Sequence, residues 1–356
     1  MRSPRSLTAA VAALAVLAGA CTGSADEAAP AAAGAAAAND GLPADADGPL
    51  VVYSGREEEL VGPVFASFEE STGIDIEVRY GGTSELAATI LEEGGSSPAD
   101  VFWAQDAGAL GALAKKGRFQ ALPEDITSAV EPAFASATDE WVGVTGRVRT
   151  IVYSTDTLTE EQVPDSVFEL TDERWKGRVG WAPTNGSFQA FITAMRDLHG
   201  EEITEQWVKD MVANGVKEYP KNTPIVDAAG RGEIDLGLVN HYYLFRFLAE
   251  DPGFPAANKF LAKDVGGLVN VAGVGILDSS QRTTASRALV SYLLGQQAQS
   301  YFGSFADELE YPLAKGIEAA PELPSLESLE PPTVDLSDLD DLQGTLELLR
   351  RAGALS

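Results

Sequence analysis

The chain has 356 residues, of which 54 are acidic and 25 are Lys or Arg, giving a formal net charge of −29. So acidic a chain argues against nucleic acid or an anionic membrane surface as a direct partner, because like charges repel. With two histidines and one cysteine, and no Gly-x-Ser-x-Gly, Gly-Lys-Ser/Thr or His-Glu-x-x-His motif, the sequence also argues against an enzyme.

Residues 1–20 have the pattern of a secretory signal peptide. Two arginines precede an apolar run from Leu7 to Ala20, which is too short to span a bilayer. Leu17-Ala18-Gly19-Ala20-Cys21 resembles a bacterial lipobox and predicts that Cys21 is lipidated. The alternative is a plain secretory signal with an incidental cysteine. As the only cysteine, Cys21 permits no intrachain disulfide.

Residues 21–48 are predicted to hold the lipidated cysteine and a disordered linker. The segment after Cys21 is rich in Ala, Gly, Asp and Pro and has no aromatic or β-branched run with which to form a core. A lipid anchor followed by a flexible linker would keep the protein outside the cytoplasm, at the cell membrane but not through it.

From residue 49 onward, runs typical of strands alternate with runs typical of helices. The predicted strands are 50–53, 74–80 and 99–103, and the predicted helices are 58–70, 84–93 and 107–116. This β-α-β alternation predicts an α/β fold with a mainly parallel sheet covered by helices. The length of the chain from residue 49 onward suits a protein of two lobes.

Two long β-rich runs, 141–154 and 265–277, are separated by further α/β sequence. They are candidates for the strands by which the chain crosses from one lobe to the other and returns. A helix at 283–297 follows the second run. Residues 339–349 are also predicted to be helical, with no docking site assigned.

The most informative stretch is 235–247, which predicts a short buried strand ending at Asn240 and then a helix. Ligands of open α/β sheets bind at such carboxyl ends of strands. Tyr242 and Tyr243 stand at this turn, where both rings can converge on one point. A hard, highly charged cation such as Fe³⁺ favours phenolate oxygen, so the pair suggests a metal site. The alternative is two core tyrosines whose hydroxyls are satisfied elsewhere.

Asn240-His241-Tyr242-Tyr243 resembles the Asn-x-Tyr-Tyr motif of the ferric-ion-binding periplasmic proteins. These are solute-binding components of ABC iron transporters, within the bacterial extracellular solute-binding protein family 1. Further similar segments occur in order within residues 49–350: 51–58 (VVYSGREE), 98–106 (PADVFWAQD), 146–149 (GRVR), 183–188 (PTNGSF), 221–223 (KNT) and 310–313 (EYPL).

The resemblance implies a two-lobed, type II periplasmic-binding-protein fold with a central ligand cleft and hinge strands. It places lobe 1 at 49–145 together with 271–312, and lobe 2 at 146–270. A C-terminal helical segment at 313–356 completes the chain.

The resemblance also implies a set of metal ligands. Tyr242 and Tyr243 match the family directly, the family's His position falls on Glu57, and its first-lobe Glu falls on Gln105, beside Asp106. Glu57 has the alternative role of a glutamate at a helix N-terminus, and Asp106 that of a helix cap. Gln105 is a neutral and weaker ligand, so this departure leaves the ligand set open.

A synergistic anion, carbonate or phosphate, accompanies Fe³⁺ in the family. The matching anion site is the turn Asn185-Gly186-Ser187 with Asn222 and Asn240. A glycine-containing turn that opens a helix presents N–H groups to an anion. Arg147 or Arg149 can assist, although an arginine in a β-rich run more often pairs with a surface acid.

Three other positions bear on this site. Phe188 stands where some relatives have a third tyrosine, so an anion or water must complete the coordination shell. His241 is expected to be solvated or to lie behind the ligands. His199 is expected to lie at a helix C-terminus.

The resemblance implies that the protein carries ferric ion to an ABC transporter permease, as a monomer. The alternative keeps the fold and binds a small organic ligand such as a phosphonate, a polyamine or a thiamine-like compound. Gln105, a neutral residue where the family has Glu, favours this organic-ligand alternative. An aromatic pair such as Tyr242 and Tyr243 can also stack on an organic cation. A purely adhesive protein would not need the tyrosine pair and the anion turn together.

Overall fold

A computed structural model describes residues 48–304 and 309–355 of the chain. The predicted signal peptide, Cys21 and nearly all of the predicted linker lie outside the described residues. Within those two ranges, no helix has both the length and the apolar character needed to cross a membrane.

Strands and helices alternate along the described chain, as the sequence predicts. The strands are β1 (Leu50–Ser54), β2 (Ile76–Tyr80), β3 (Val101–Ala104), β4 (Val142–Ser154), β5 (Val179–Trp181), β6 (Lys217–Glu218), β7 (Leu236–Asn240), β8 (Ala256–Lys259), β9 (Val269–Ile276) and β10 (Tyr311–Pro312). The α-helices are α1 (Glu58–Thr72), α2 (Thr83–Glu93), α3 (Ala107–Ala114), α4 (Glu124–Thr127), α5 (Gly186–His199), α6 (Glu201–Ala213), α7 (Asn222–Gly230), α8 (Tyr242–Glu250), α9 (Thr283–Leu293), α10 (Gln296–Ser304), α11 (Leu326–Leu329) and α12 (Leu342–Arg351).

The strands form one continuous sheet in the order β2-β1-β3-β9-β4-β7-β5-β6, with β8 and β10 also paired to β4. Pairing is parallel among β1, β2 and β3 and among β5, β6 and β7. Strands β4 and β9 are antiparallel to each other and to their other neighbours. The prediction of a mainly parallel sheet is therefore wrong for its centre. The reason is that β4 leads the chain out of the first set of strands and β9 leads it back.

The 13-residue strand β4 is buried along its whole length and changes partners partway. Its pairing with β9 runs from Val142 to Val148. Its pairing with β7 begins at Arg149. The predicted run at 141–154 is confirmed as a strand, whereas the run at 265–277 opens with a 3-10 turn before β9 begins. The lobe boundaries proposed from the sequence stay a prediction.

Helix α1 shows how the apolar spacing produces the core. Leu60, Val64 and Phe68 recur every four residues and are buried against the sheet, together with Val61 and Phe65. Full burial of such a side chain contributes about 1.5–3 kcal/mol. Gly73 ends the helix with a φ of 72°, a left-handed conformation that glycine adopts without steric cost.

Two aromatic groups anchor the helices on the two parts of the sheet. Trp103 of β3 packs edge-to-face against Phe65 and Phe302, with ring centroids 5.6 and 5.8 Å apart. Trp181 of β5 packs in the same manner against Phe188 of α5 at 5.3 Å. Each part of the sheet thus fixes the helix that follows one of its strands.

The C-terminal part of the chain docks on other elements. The predicted helix at 339–349 is α12, which begins at Leu342 and packs on α5 and α6. A 3-10 turn at Leu336–Asp340 precedes it and packs on α3. The predicted helix at 283–297 is two helices, α9 and α10, separated by a turn at residues 294–295.

Candidate functional site

The turns at the carboxyl ends of the parallel strands surround one cavity of 370 Å³. This is the position at which open α/β sheets bind ligands. The lining residues are Gly55, Arg56, Glu57, Gly81, Gly82, Thr83, Gln105, Asp106, Arg147, Arg149, Asn185, Gly186, Ser187, Asn240, Tyr242, Tyr243, Leu268 and Asn270. All but one of the predicted site residues are therefore brought together on its wall. The exception is Asn222.

Tyr242 and Tyr243 form a stacked pair on this wall. Strand β7 ends at Asn240 and α8 begins at Tyr242, as predicted, and the ring centroids are 4.3 Å apart at 29°. Tyr242 is 3% exposed and Tyr243 is half-buried. Arg246, one helical turn later, lies over both rings at 5.6 and 5.3 Å. The turn thus holds two adjacent phenols at the edge of one cavity.

Arg149 of β4 is 2% exposed and lies beneath the cavity. Its Nη1 donates to Ser187 Oγ at 3.3 Å and to Asn240 Oδ1 at 3.4 Å, and its Nη2 donates to Leu238 O at 3.1 Å. Burial lowers the pKa of Arg149 to about 9, and electrostatic attraction to Tyr243 and Tyr242 opposes that shift. The guanidinium is therefore charged at neutral pH and connects the tyrosine wall to the start of α5.

The turn at residues 185–187 is organised by side-chain hydrogen bonds. Asn185 caps α5, because its Oδ1 accepts from Ser187 N at 3.0 Å and from Ser187 Oγ at 2.6 Å. Asn222 donates through Nδ2 to Asn185 Oδ1 at 3.3 Å and to Ser187 Oγ at 3.2 Å. Asn222 is 0% exposed, so it supports the turn from behind. The positive end of the α5 dipole faces the cavity.

Glu57 and Asp106 occupy two helix N-termini on the opposite wall. Glu57 is exposed and precedes α1, but its side chain makes no capping hydrogen bond there. Asp106 does cap its helix: Oδ1 accepts from Ala109 N at 3.2 Å. Burial raises the pKa of Asp106, against the opposing effects of that hydrogen bond and of Arg147. The helix-capping role expected for Asp106 is confirmed, and its role as a metal ligand stays a prediction.

Gln105 is held by neighbours on both sides. With its amide nitrogen toward Gly55, it donates to Gly55 O at 3.1 Å and accepts from Arg147 Nη1 at 3.3 Å. The backbone carbonyl of Gln105 accepts a second hydrogen bond from Arg147. Gln105 thus ties the turn after β3 to the turn after β1 and to β4.

A buried ionic group behind this wall was not foreseen from the sequence. Glu310 Oε2 accepts from Arg56 Nη2 at 3.0 Å and from Thr145 Oγ1 at 2.6 Å, and Glu310 Oε1 lies 3.8 Å from Arg147 Nε. Burial alone would raise the pKa of Glu310. The charges of Arg56 and Arg147 and the bond from Thr145 outweigh it and hold that pKa below its usual range. Three buried arginines, counting Arg149, therefore accompany one buried glutamate, an excess that favours an anion in the cavity.

The two histidines differ in their surroundings. His241 is 0% exposed; its Nδ1 accepts from Val148 N at 3.1 Å and its Nε2 donates to Leu309 O at 3.0 Å. Burial lowers its pKa to about 4, so the ring is neutral. Of the two expectations for His241, the solvated one is wrong, because the ring is buried between β4 and the segment before β10; the ring lies behind Tyr242, with centroids 5.8 Å apart. His199 is the last residue of α5, as predicted, and packs on Phe168.

The described residues contain no group of three or more His, Cys, Asp or Glu side chains that could hold a metal ion.

Comparison with known proteins assigns the class of the chain. The model of a bacterial extracellular solute-binding protein family matches residues 50–305, and the chain belongs to that family. Its members are binding proteins rather than enzymes, and the fold is the two-lobed α/β fold of periplasmic binding proteins. Assignment to family 1 of these proteins stays a prediction.

Three relatives of this chain have names or titles that mention iron. The chain is 31% identical over 315 residues to the Fe(3+)-binding periplasmic protein of Serratia marcescens, covering 88% of this chain and 92% of that one. Iron-bound HitA from Pseudomonas aeruginosa superposes with a TM-score of 0.78 at 32% identity, over 86% of this chain and 99% of that one. Trichodesmium IdiA (FutA), solved with iron and citrate ligands, superposes with a TM-score of 0.76 at 26% identity, over 86% of this chain and 99% of that one.

Proposed function

We propose that this protein captures ferric ion together with an anion in the 370 Å³ cavity and delivers it to the permease of an ABC transporter. The observation that carries the proposal is the stacked Tyr242–Tyr243 pair beside Arg149 and the turn at 185–187. A trivalent cation favours ionised phenol oxygens. The names of the Serratia and Pseudomonas relatives support the same cargo.

The metal ligands are proposed from the oxygen-bearing side chains on each wall. Tyr242 and Tyr243 supply two phenolates. Glu57 supplies a carboxylate, since that side chain makes no capping bond and carboxylate oxygen suits Fe³⁺. Asp106 caps α3, and Gln105 bonds to Gly55 and Arg147, so both side chains position that wall. They are proposed as the further candidate ligands on the same side of the ion.

The anion is proposed to bind between the tyrosines and α5. Gly186 and Ser187 open the helix there, and Asn240 lines the same side. Arg149 contributes the nearest buried positive charge, while Asn185 and Asn222 shape the turn. Arg147, already paired with Glu310, adds charge from the other wall. Carbonate, phosphate or a carboxylate of a chelator such as citrate fits this donor set.

Binding is proposed to close two lobes about β4 and β9. The boundaries predicted from the sequence, 49–145 with 271–312 and 146–270, put Glu57 and the tyrosines on different lobes. The change of β4 partners between Val148 and Arg149 supports a division at that point. A ligand that contacts both walls favours the closed arrangement.

The setting is proposed to be extracytoplasmic. The family is extracellular or periplasmic, and the sequence of residues 1–21 predicts export and lipidation at Cys21. A monomer held at the membrane by its lipid would hand the ion to the permease without spanning the bilayer.

An absorption titration of the purified protein with ferric citrate tests the proposal. A broad visible band from phenolate-to-iron charge transfer is expected, and Tyr243→Phe should remove most of it. Tyr219→Phe is the matched control, because Tyr219 is half-buried in a hydrophobic cluster and does not line the cavity. A folded protein that develops no colour would overturn the ferric assignment in favour of a small organic ligand.

A further inference from the structure

Residues 313–355, here called the C-terminal strap, contact elements on both parts of the sheet. The turn at Leu336–Asp340 packs on α3, which follows β3. Helix α12 packs on α5 and α6, which follow β5. The strap therefore links the two parts of the molecule in addition to β4 and β9.

The turn at Leu336–Asp340 also packs on α5, and ion pairs to both parts meet at its end. Asp340 Oδ1 lies 2.7 Å from Lys115 Nζ, just after α3, and the same ammonium lies 3.0 Å from Asp338 Oδ1. Asp341 Oδ2 lies 2.9 Å from Arg196 Nη2 of α5. Two consecutive aspartates thus bind cations that belong to opposite parts.

Helix α3 is shaped to receive the strap. A Cβ at Gly111 would stand 2.1 Å from Ser337 O, and one at Gly108 would stand 2.5 Å from Leu339 O. Glycine is unfavourable inside a helix relative to alanine. Two glycines here are explained by the close approach of the strap backbone, which no larger residue permits.

The contact of α12 with α5 is equally specific. Thr345 Oγ1 and Thr193 Oγ1 are 2.7 Å apart in a buried hydrogen bond. Arg196 Nη1 donates to Thr345 Oγ1 at 3.0 Å and to Asp341 O at 3.2 Å. The strap is therefore fixed on this side by directed bonds as well as by apolar packing.

A second cavity, of 300 Å³, lies beside the crossing. Residues of α2 and α3 form one side, residues of α5 form another, and Leu339, Asp340 and Leu342 of the strap complete it. It adjoins the candidate site at Asp106 and Gly186, which line both cavities. Leu339, Asp340 and Leu342 of the strap thus border the space between α3 and α5.

We propose that the strap is a clasp that limits how far the two lobes open and so slows escape of the bound ion. The inference rests on the proposed function for its cargo and on the proposed lobes for its motion. Opening must break the contacts of Asp340 with Lys115 or those of Asp341 with Arg196. Because these pairs are partly exposed, salt screens them and weakens the clasp.

The first test measures lobe separation without any metal. Gly111→Ala displaces the strap from α3 while improving helix propensity. Gly62→Ala in α1 is the matched control, because a Cβ there meets nothing closer than 3.8 Å. Both are made in the full chain carrying Cys21→Ser, with spin labels on cysteines placed at the exposed positions Glu92 of α2 and Glu202 of α6.

Pulsed electron spin resonance then gives the distance distribution between the labels. We expect Gly111→Ala to broaden it and shift it to longer distances, and Gly62→Ala to leave it unchanged. If Gly111→Ala fails to fold, Asp338→Asn with Asp340→Asn provides the same comparison through the Lys115 pairs. A distribution identical in the parent and in every folded strap variant would overturn the clasp.

The second test measures release of ferric ion to an excess of chelator. The strap variants are expected to release it about threefold to tenfold faster than the parent, and the parent itself faster at high salt. Unchanged release rates in folded variants overturn the clasp even where ferric binding is confirmed. Wider lobe separation in the strap variants, together with a parent that binds no ferric ion, supports the clasp and overturns only the cargo assignment.

Discussion

Arg149 Nη1 donates to Ser187 Oγ at 3.3 Å, and this hydrogen bond joins β4 to the turn that opens α5. The same guanidinium reaches Leu238 O, next to the strand end that carries the tyrosines. One buried cation therefore sets the spacing between the two groups that are proposed to bind the metal and the anion.

The Arg149→Lys variant distinguishes the contribution of the positive charge from that of the planar guanidinium geometry. An ammonium keeps the positive charge but cannot reach acceptors in several directions through a planar fork. We expect ferric affinity in the presence of the anion to fall at least about tenfold, and the free energy of unfolding to fall by about 1.5–3 kcal/mol. Arg287→Lys, at an exposed position, is the control. Equal affinities for the two variants would contradict the role given to Arg149.

Ferric binding is expected to weaken as pH falls. Each phenol must lose its proton to coordinate the metal, so two protons are released for each ion bound. The logarithm of the apparent affinity should therefore fall by about two for each pH unit. Titrations with a competing chelator at several pH values measure the slope. A slope near one would leave only one of Tyr242 and Tyr243 as a ligand.

Glu310→Gln is expected to destabilise the protein by about 3–5 kcal/mol, because the neutral amide cannot compensate Arg56 and Arg147 in the buried group. The folded pKa of Glu310 is lowered. Its contribution is therefore fully present above the ordinary carboxyl pKa of about 4.3 and is lost as pH falls through the folded value.

Urea unfolding of the parent and the Glu310→Gln variant between pH 7 and pH 3 measures this contribution. The difference between the two should shrink as the solution becomes more acidic than about pH 4. Glu322→Gln, at an exposed position, should differ little from the parent at any pH. A constant difference across the range would mean that Glu310 acts through packing and not through its charge.

Cys21→Ser is expected to move the protein from the membrane fraction to the soluble extracytoplasmic fraction. A thioether-linked lipid at this position is the anchor that the lipobox predicts, and serine cannot accept it. Cell fractionation with incorporation of labelled fatty acid measures the change. Soluble parent protein without label would favour the plain secretory signal.

The tyrosine turn could be predicted from the sequence because its signals are local. The apolar run before Asn240 and the helical spacing after Tyr243 lie within a dozen residues, and the structure places both elements as predicted. The alternation that gave β1, α1, β2 and α2 is local in the same sense. The direction of pairing at the centre of the sheet depends on contacts between distant segments, and no periodicity encodes it.

The remainder of the site depends on contacts across long separations. Arg56 and Glu310 are 254 residues apart in the chain, yet they form the buried pair behind the cavity. Each residue lies in a segment that resembles the family, but neither segment contains a signal that predicts contact with the other. The hydrogen bond from His241 to Leu309 likewise joins residues 68 apart in the chain. Such pairings become visible only once the chain is folded.

The adjacency of Asp340 and Asp341 has a consequence for how the chain can vary in length. Surface turns generally accept insertions, and a turn that serves only as a connection would do so here. An added residue between these two aspartates would leave both ion pairs unable to form together, although the hydrophobic cores would remain intact. An insertion at this point should therefore leave the fold intact while it loosens the clasp, so the length of the chain here would set how firmly the two parts are held together.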